Sequence, residues 1–141
     1  MQNHLPTPAK DEIALLPLFD RLGLDRIHLV ATAAQAREAC AALTDTPFWG
    51  FDTESKPTFA RNEVSQGPHI VQLATLERAW VFQLHDPHCS EQVAGLLAAH
   101  GITKAGFGLG DDRKRITARL GVEPAGVLDL NTVFRERGYR K

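Results

Sequence analysis

Apolar and polar residues alternate in several short segments of the chain, and this alternation predicts β-strands. The clearest segments are "PFWGFDTE" (47–54), "HIVQLAT" (69–75) and "AWVFQL" (79–84). Only three residues separate the last two segments, so they are expected to form a hairpin. Three shorter strands are predicted at "RIHLVAT" (26–32), "ITKAGFG" (102–108) and "GVLDL" (126–130).

Apolar residues at helical spacing predict helices between these strands. Thr32 is expected to cap a helix over "AAQAREACAALTD" (33–45). Further helices are expected at about 90–100, from about residue 111 and at "NTVFRER" (131–137). An antiparallel meander of strands followed by strands that alternate with helices is typical of an α/β domain with a mixed sheet flanked by helices.

The first 25 residues have no comparable pattern and are interpreted as an N-terminal arm, whereas residues 26–141 have the length expected of one domain. No run approaches the roughly 18 apolar residues of a membrane span. The apolar stretch "IALLPLF" follows Asp11 and Glu12 rather than a basic segment, which argues against a signal peptide. We therefore expect a cytoplasmic protein without a membrane segment.

Charge is distributed unevenly along the chain, although the net charge is only −1. Residues 1–112 contain 8 Lys and Arg against 14 Asp and Glu, whereas residues 113–141 contain 8 against 3. The basic C-terminal end is either a solvated helix surface or a rim that faces phosphate groups.

Two acidic residues stand one residue apart in the segment "GFDTESKP" (50–57). Residues i and i+2 of a strand point to the same face, so Asp52 and Glu54 are expected side by side, with Trp49 and Phe51 on the opposite, core face. Neighbouring carboxylates repel each other unless one is protonated or a divalent cation lies between them. The strand pattern by itself leaves both arrangements open.

A further carboxylate is predicted on the apolar face of a helix in "KAGFGLGDDRKRI" (104–116). Asp112 is at helical spacing with Leu109, Ile116 and Leu120. A carboxylate on a core face costs stability unless it has a partner. Asp111, by contrast, is interpreted as a residue at the helix N-terminus that pairs with Arg115 or Arg119 on the surface.

The segments "FDTES" and "KAGFGLGDDRKRI" resemble the first and second motifs of the DEDD 3′-to-5′ exonucleases, nearest to the ribonuclease D and Werner-syndrome-helicase branch. The strands "IVQLAT" and "AWVFQL" match those that follow the first motif, and the resemblance spans roughly residues 26–138. It implies an RNase H-like fold in which Asp52, Glu54 and Asp112 are catalytic metal ligands. Two Mg²⁺ or Mn²⁺ ions about 3.5–4 Å apart would hydrolyse the phosphodiester bond. The implied partner is a single-stranded 3′ end of DNA or RNA.

The loop "SKPTFARNEVSQGP" (55–68) follows the first motif and contains two candidate substrate-binding residues. Lys56 could contact phosphate and Phe59 could stack on a terminal base. Both residues are equally compatible with an ordinary exposed surface.

The chain departs from the family pattern at its third motif, which supplies a fourth Asp with a Tyr or His four residues earlier. Tyr139 has no acid four residues later, because the sequence ends at Lys141, and Asp129 in "VLDLN" is better interpreted as a turn or cap residue. The resemblance therefore implies an exonuclease domain without its C-terminal helices, with weak or absent activity. The alternatives are a non-catalytic nucleic-acid-binding or interaction module that keeps the fold and, less favoured, a glycosidase-type acid pair.

Overall fold

One mixed sheet of six strands is the framework of the structure, a computed structural model that describes residues 4–139. Arg140 and Lys141, the last two residues of the segment in which the third motif was sought, lie outside the described residues. The strands are β1 (Ile27–Val30), β2 (Phe48–Glu54), β3 (Ile70–Ala74), β4 (Ala79–Gln83), β5 (Thr103–Gly106) and β6 (Val127–Asp129). Their order in the sheet is β1-β4-β3-β2-β5-β6.

Five α-helices and one short 3₁₀ segment (Leu24–Arg26) accompany the strands within residues 4–139. The helices are α1 (Lys10–Ala14), α2 (Ala33–Leu43), α3 (Pro87–Ala98), α4 (Gly110–Leu120) and α5 (Leu130–Glu136). Thr32 caps α2 as predicted, because its hydroxyl accepts the N–H of Gln35 at 3.2 Å. Helix α3 begins at Pro87, earlier than predicted, since the Asp86 carboxylate accepts the N–H of His88 at 2.8 Å. No helix in this part of the chain is both long and apolar enough to cross a membrane.

The predicted antiparallel meander and the later parallel strands are both present. Strand β3 is antiparallel to β2 and to β4, whereas β5 is parallel to β2 and β6 is parallel to β5. Since parallel strands end at the same edge of a sheet, the C-terminal residues Glu54, Gly106 and Asp129 lie at one edge. In α/β proteins ligands bind outside the carboxyl ends of such strands.

Helices α2, α3 and α4 cover one face of the sheet, which we call the core face. In β2 exposure alternates residue by residue, so Trp49, Phe51 and Thr53 are buried on the core face while Asp52 and Glu54 are exposed on the other, outer face. The prediction that Trp49 and Phe51 belong to the core is therefore confirmed. The outer face also exposes Leu29 (60%) and Phe48 (54%).

A lysine side chain is fully buried within this core. Lys104, on β5, donates hydrogen bonds from Nζ to the carbonyl oxygens of Ala99 at 2.6 Å and Ala125 at 2.9 Å. Its Nζ also lies 5.6 Å from the centre of the Trp49 ring. Loss of solvent around this amine lowers the pKa of Lys104 below its ordinary value. The lysine joins the end of α3 to the segment that enters β6.

The N-terminal segment makes few contacts with the sheet. Residues 4–20 are exposed throughout. Leu5 nevertheless donates its N–H to the carbonyl of Gly138 at 2.7 Å and pairs with Tyr139. The start of the predicted N-terminal arm therefore contacts the C-terminal end of the described chain. The division of the chain into an arm and a domain that begins at residue 26 stays a prediction.

Candidate active site

Two exposed carboxylates stand at the C-terminal end of β2. Asp52 and Glu54 both lie on the outer face, as predicted from their spacing. The Asp52 carboxylate accepts the N–H of Thr53 at 2.9 Å, and the backbone carbonyl of Glu54 accepts the N–H of His69 at 2.8 Å. The strand end that bears the pair is thus held by β3 and by the loop that leads into it.

Asp112 reaches the same strand from the core side. It lies in the first turn of α4, and Leu109 and Ile116 of its predicted face are buried. The partner that a carboxylate requires at such a position is Thr53, whose hydroxyl donates a hydrogen bond to Asp112 Oδ1. Thr53 stands between the two acids in sequence but points to the opposite face. Asp112 therefore meets β2 at the level of the pair and from the other side of the strand.

The three acids match a divalent cation in donor chemistry but not in arrangement. Carboxylate oxygens are the ligands that Mg²⁺ and Mn²⁺ prefer. In residues 4–139, however, no three Asp, Glu, His or Cys side chains form a group that could hold a metal ion. Asp52 and Glu54 face outward together, whereas Asp112 is bound to Thr53. The assignment of all three as metal ligands stays a prediction.

The interpretation of Asp111 is partly wrong. The ion pair that α4 forms within the described residues joins Arg113 to Glu123 at 3.7 Å, and Asp111 pairs with neither predicted arginine. Arg119 instead donates to the carbonyl oxygen of Gln66 at 2.5 Å. Arg119 thus binds the Gln66 carbonyl and not the Asp111 carboxylate. Asp111 contributes an acidic charge in the first turn of α4, where the helix dipole favours it.

Asp129 is fully engaged in local structure, which confirms its interpretation as a turn and cap residue. Its carboxylate accepts N–H groups of Leu109 at 2.9 Å, Asn131 at 3.0 Å and Gly108 at 3.1 Å. The N–H of Leu109 is the main reason why the pKa of Asp129 lies below its ordinary value. Asp129 thus caps α5 and fastens the turn before α4, and it does not join the acid pair.

The glycines in "KAGFGLG" shape the turn between β5 and α4. A Cβ atom at Gly106 would lie 2.3 Å from the carbonyl oxygen of Phe51, so only glycine lets β5 approach β2 there. Gly108 has φ of +64°, which glycine adopts without strain. Together they bring α4, and with it Asp112, to the end of β2.

The two predicted substrate residues lie in the loop between β2 and β3. The Phe59 side chain is 89% exposed, and its backbone N–H donates to the Glu63 carboxylate at 2.9 Å. Lys56 is exposed too, and its N–H donates to Nδ1 of His69 at 2.9 Å. Partial burial and then the nearby charges of Lys56 and Arg119 lower the pKa of His69 below its ordinary value. His69 and Arg119 were missed because their proximity to Lys56 depends on how the loop folds back.

Solved structures with the same architecture are exonuclease domains. The Nibbler EXO domain of Aedes aegypti superposes with a TM-score of 0.69 at 20% sequence identity over 82% of this chain. Trypanosoma brucei RNase D in complex with RNA U12 superposes with a TM-score of 0.68 at 24% sequence identity over 77% of this chain. The EXD2 exonuclease domain soaked in Mg and GMP superposes with a TM-score of 0.62 at 21% sequence identity over 79% of this chain. The chain has the fold of these exonuclease domains.

This agreement confirms the RNase H-like α/β fold that the two motifs implied. The chain spans 58% of the Nibbler domain, 38% of that RNase D chain and 60% of the EXD2 domain. No protein-family model matches the sequence, and no curated protein matches it significantly. The fold is therefore shared, and the activity has to be argued from the residues of the site.

Proposed function

We propose that this chain is a metal-dependent exonuclease domain that removes nucleotides from the 3′ end of DNA or RNA. The observation that carries the proposal is the pair Asp52 and Glu54, exposed side by side at the C-terminal end of β2 in an exonuclease fold. An exposed carboxylate pair without a basic partner attracts a divalent cation. The cytoplasmic location expected from the sequence belongs to the same proposal.

In the proposed site Asp52 and Glu54 would hold the cation, and Asp112 would complete its ligands after leaving Thr53. A bound Mg²⁺ or Mn²⁺ would supply an activated water and stabilise the leaving 3′ oxygen. The chain itself places the site at the carboxyl ends of the parallel strands, where the end of a nucleic-acid strand would enter.

The solved neighbours support the choice of substrate and cofactor. One RNase D structure contains RNA, and EXD2 domains have been soaked in Mg or Mn together with GMP. A nucleic-acid substrate and a Mg²⁺ or Mn²⁺ cofactor are the corresponding proposals for this chain. Nothing in the site favours DNA over RNA.

We expect the activity of the 141-residue chain to be weak. A two-metal reaction requires both ions and the attacking water to be held in register. In this structure one of the three acids is bound to Thr53, so the pair alone would position a cation loosely.

The test compares trimming of single-stranded and duplex DNA and RNA by the wild type and by Asp52→Asn, with Mg²⁺, Mn²⁺ or EDTA. Parallel substrates labelled at the 5′ end and at the 3′ end report the direction of cleavage. We expect slow shortening from the 3′ end that requires metal and is lost in Asp52→Asn. Equal trimming by wild type and Asp52→Asn, or cleavage in EDTA, would overturn the proposal.

The second candidate is a non-catalytic nucleic-acid-binding module with the same fold. The bond between Thr53 and Asp112 favours it, since that bond separates the third acid from the pair. It predicts binding of oligonucleotides without trimming at any metal concentration. Melting temperatures of wild type and Asp52→Asn with and without Mn²⁺ distinguish the two, because only a cation site gives a metal-dependent difference.

A further inference from the structure

Two adjoining cavities form a groove along the loop that follows the acid pair, and we call this surface the loop groove. One cavity, of about 470 Å³, is lined by the loop after β2, including Lys56, Gln66 and His69. The other, of about 250 Å³, lies between the same loop and Arg119 of α4. Both share Gln66 and its neighbour Ser65. The groove thus runs from Arg119 of α4 to His69, whose N–H donates to the backbone carbonyl of Glu54 at the end of β2.

The floor of the loop groove is held by defined contacts. The residues that close the loop, Gly67 and Pro68, are buried, and a Cβ atom on Gly67 would lie 2.1 Å from the Ser55 hydroxyl. Arg119 donates a hydrogen bond to the Gln66 carbonyl oxygen, and the Glu63 carboxylate accepts the N–H of Phe59 at 2.9 Å. These contacts hold the backbone of the loop at both ends of the groove.

His69 presents a hydrogen-bond donor in this groove. Its Nδ1 accepts the N–H of Lys56, so the proton of the neutral imidazole is on Nε2. Nε2 carries no hydrogen bond to the residues that the structure describes, and the side chain lines the cavity. A neutral donor beside two cations suits a phosphate oxygen.

The charges around the groove are predominantly positive. Lys56 and Arg119 are both exposed and unpaired by any carboxylate in the described part of the chain. Arg119 uses one N–H of its guanidinium on Gln66 and keeps four further donors. Glu63, the acid in the groove, accepts the N–H groups of Ala60 and Phe59, which hold its pKa below the ordinary value, so it stays ionised and offsets one of the two positive charges.

We propose that Lys56, His69 and Arg119 form a subsite for the phosphodiester backbone of a nucleic-acid strand whose end lies at the Asp52 and Glu54 pair. The subsite deepens the proposed function and rests on it for the identity of the strand. Neither His69 nor Arg119 has a place in the exonuclease motifs of the sequence. Two cations and one neutral donor along a groove position a backbone without reading its bases.

The test is fluorescence anisotropy with labelled single-stranded DNA and RNA in EDTA, where no cleavage occurs, over a series of salt concentrations. Arg119→Gln and Lys56→Gln are each expected to weaken binding by about three- to tenfold and to lower the salt slope by about 0.7, the value for one contact to a single strand. His69→Asn keeps an acceptor at the Nδ1 position and removes the Nε2 donor. It should weaken binding by about threefold and leave the salt slope unchanged, because no charge is lost.

The matched control is Arg37→Gln, an exposed arginine on α2 whose loss changes the net charge by the same amount. Its affinity and slope should equal those of the wild type. Lys56 is exposed, so its variant must fold, and circular dichroism checks the others. Absent wild-type binding in EDTA, or an effect of Arg37→Gln as large as that of Arg119→Gln, would overturn the subsite. Binding that follows the predicted pattern without any trimming would retain the subsite and reject the proposed exonuclease activity.

Discussion

A Lys104→Met substitution keeps the unbranched apolar part of a buried side chain, removes its ammonium group and is expected to destabilise the fold. The ammonium donates to the carbonyl oxygens of Ala99 and Ala125, and these oxygens would lose a partner in the interior. Ala99 follows the last turn of α3, where a cation also suits the negative end of the helix dipole. The substitution therefore removes the link between α3 and the segment before β6.

The expected loss follows from two opposing effects. Each hydrogen bond from a charged donor stabilises a fold by about 1.5–3 kcal/mol, so the two bonds contribute about 3–6 kcal/mol. The variant no longer bears the cost of burying an ammonium group, which offsets on the order of 1–3 kcal/mol of this loss. From the middle of each range the net decrease in the free energy of unfolding is about 2.5 kcal/mol, and loss of the contact to the Trp49 ring adds to it.

The assay is urea unfolding followed by circular dichroism, with the free energy taken from the linear extrapolation. Lys114→Met on the exposed side of α4 is the control, and it should change stability by less than about 0.5 kcal/mol. A Lys104→Met variant as stable as the wild type, or more stable, would refute the reasoning. It would show that burying the ammonium costs as much as its two bonds return.

The pH dependence of stability provides an independent test of the lowered pKa of Lys104. The pKa of Lys104 is lowered in the folded state, so between that lowered pKa and the ordinary value of 10.5 the unfolded chain binds more protons than the folded chain. The contribution of Lys104 to stability therefore rises as pH increases through this window. We expect the difference in stability between wild type and Lys104→Met to grow from neutral pH toward 10.5. A difference that shrinks would contradict the lowered pKa.

Three further outcomes are expected. Thr53→Val frees Asp112 and should raise Mn²⁺ affinity by about tenfold in calorimetry, whereas Thr53→Ser should match the wild type. Equal Mn²⁺ affinities for the wild type and both variants would contradict the role of the hydroxyl. Asp129→Ala should lower the free energy of unfolding by about 1–2 kcal/mol at pH 7. That loss should shrink as pH falls below 3.8, since a carboxylate with a lowered pKa stabilises the fold only while ionised, and a loss constant from pH 7 to 3 would oppose this account. Leu29→Lys should leave the melting temperature unchanged, because Leu29 is exposed on the outer face, and a large drop in melting temperature would show that it packs in the core.

The local features of this protein were readable from its sequence. The alternation in β2 predicted which residues face the core and placed Asp52 beside Glu54. Thr32 predicted the start of α2, and the short connection between β3 and β4 predicted their hairpin. These features depend on neighbours within a few positions, where backbone periodicity and capping dominate. The order of elements and the two motifs were then enough to predict the RNase H-like fold.

The arrangement of the site was decided only by tertiary structure. The partner of Asp112 is Thr53, which is 59 residues away in sequence, and the strand pattern gave no sign that this threonine faces α4. Lys104 is buried because carbonyls of Ala99 and Ala125 converge on it, and the strand pattern around it gives no sign of these partners. The loop groove likewise exists because Arg119 of α4 binds the Gln66 carbonyl. Apart from the bond between Lys104 and Ala99, each contact joins groups that are distant along the chain. A polar side chain is buried or exposed according to whether the fold brings it a partner.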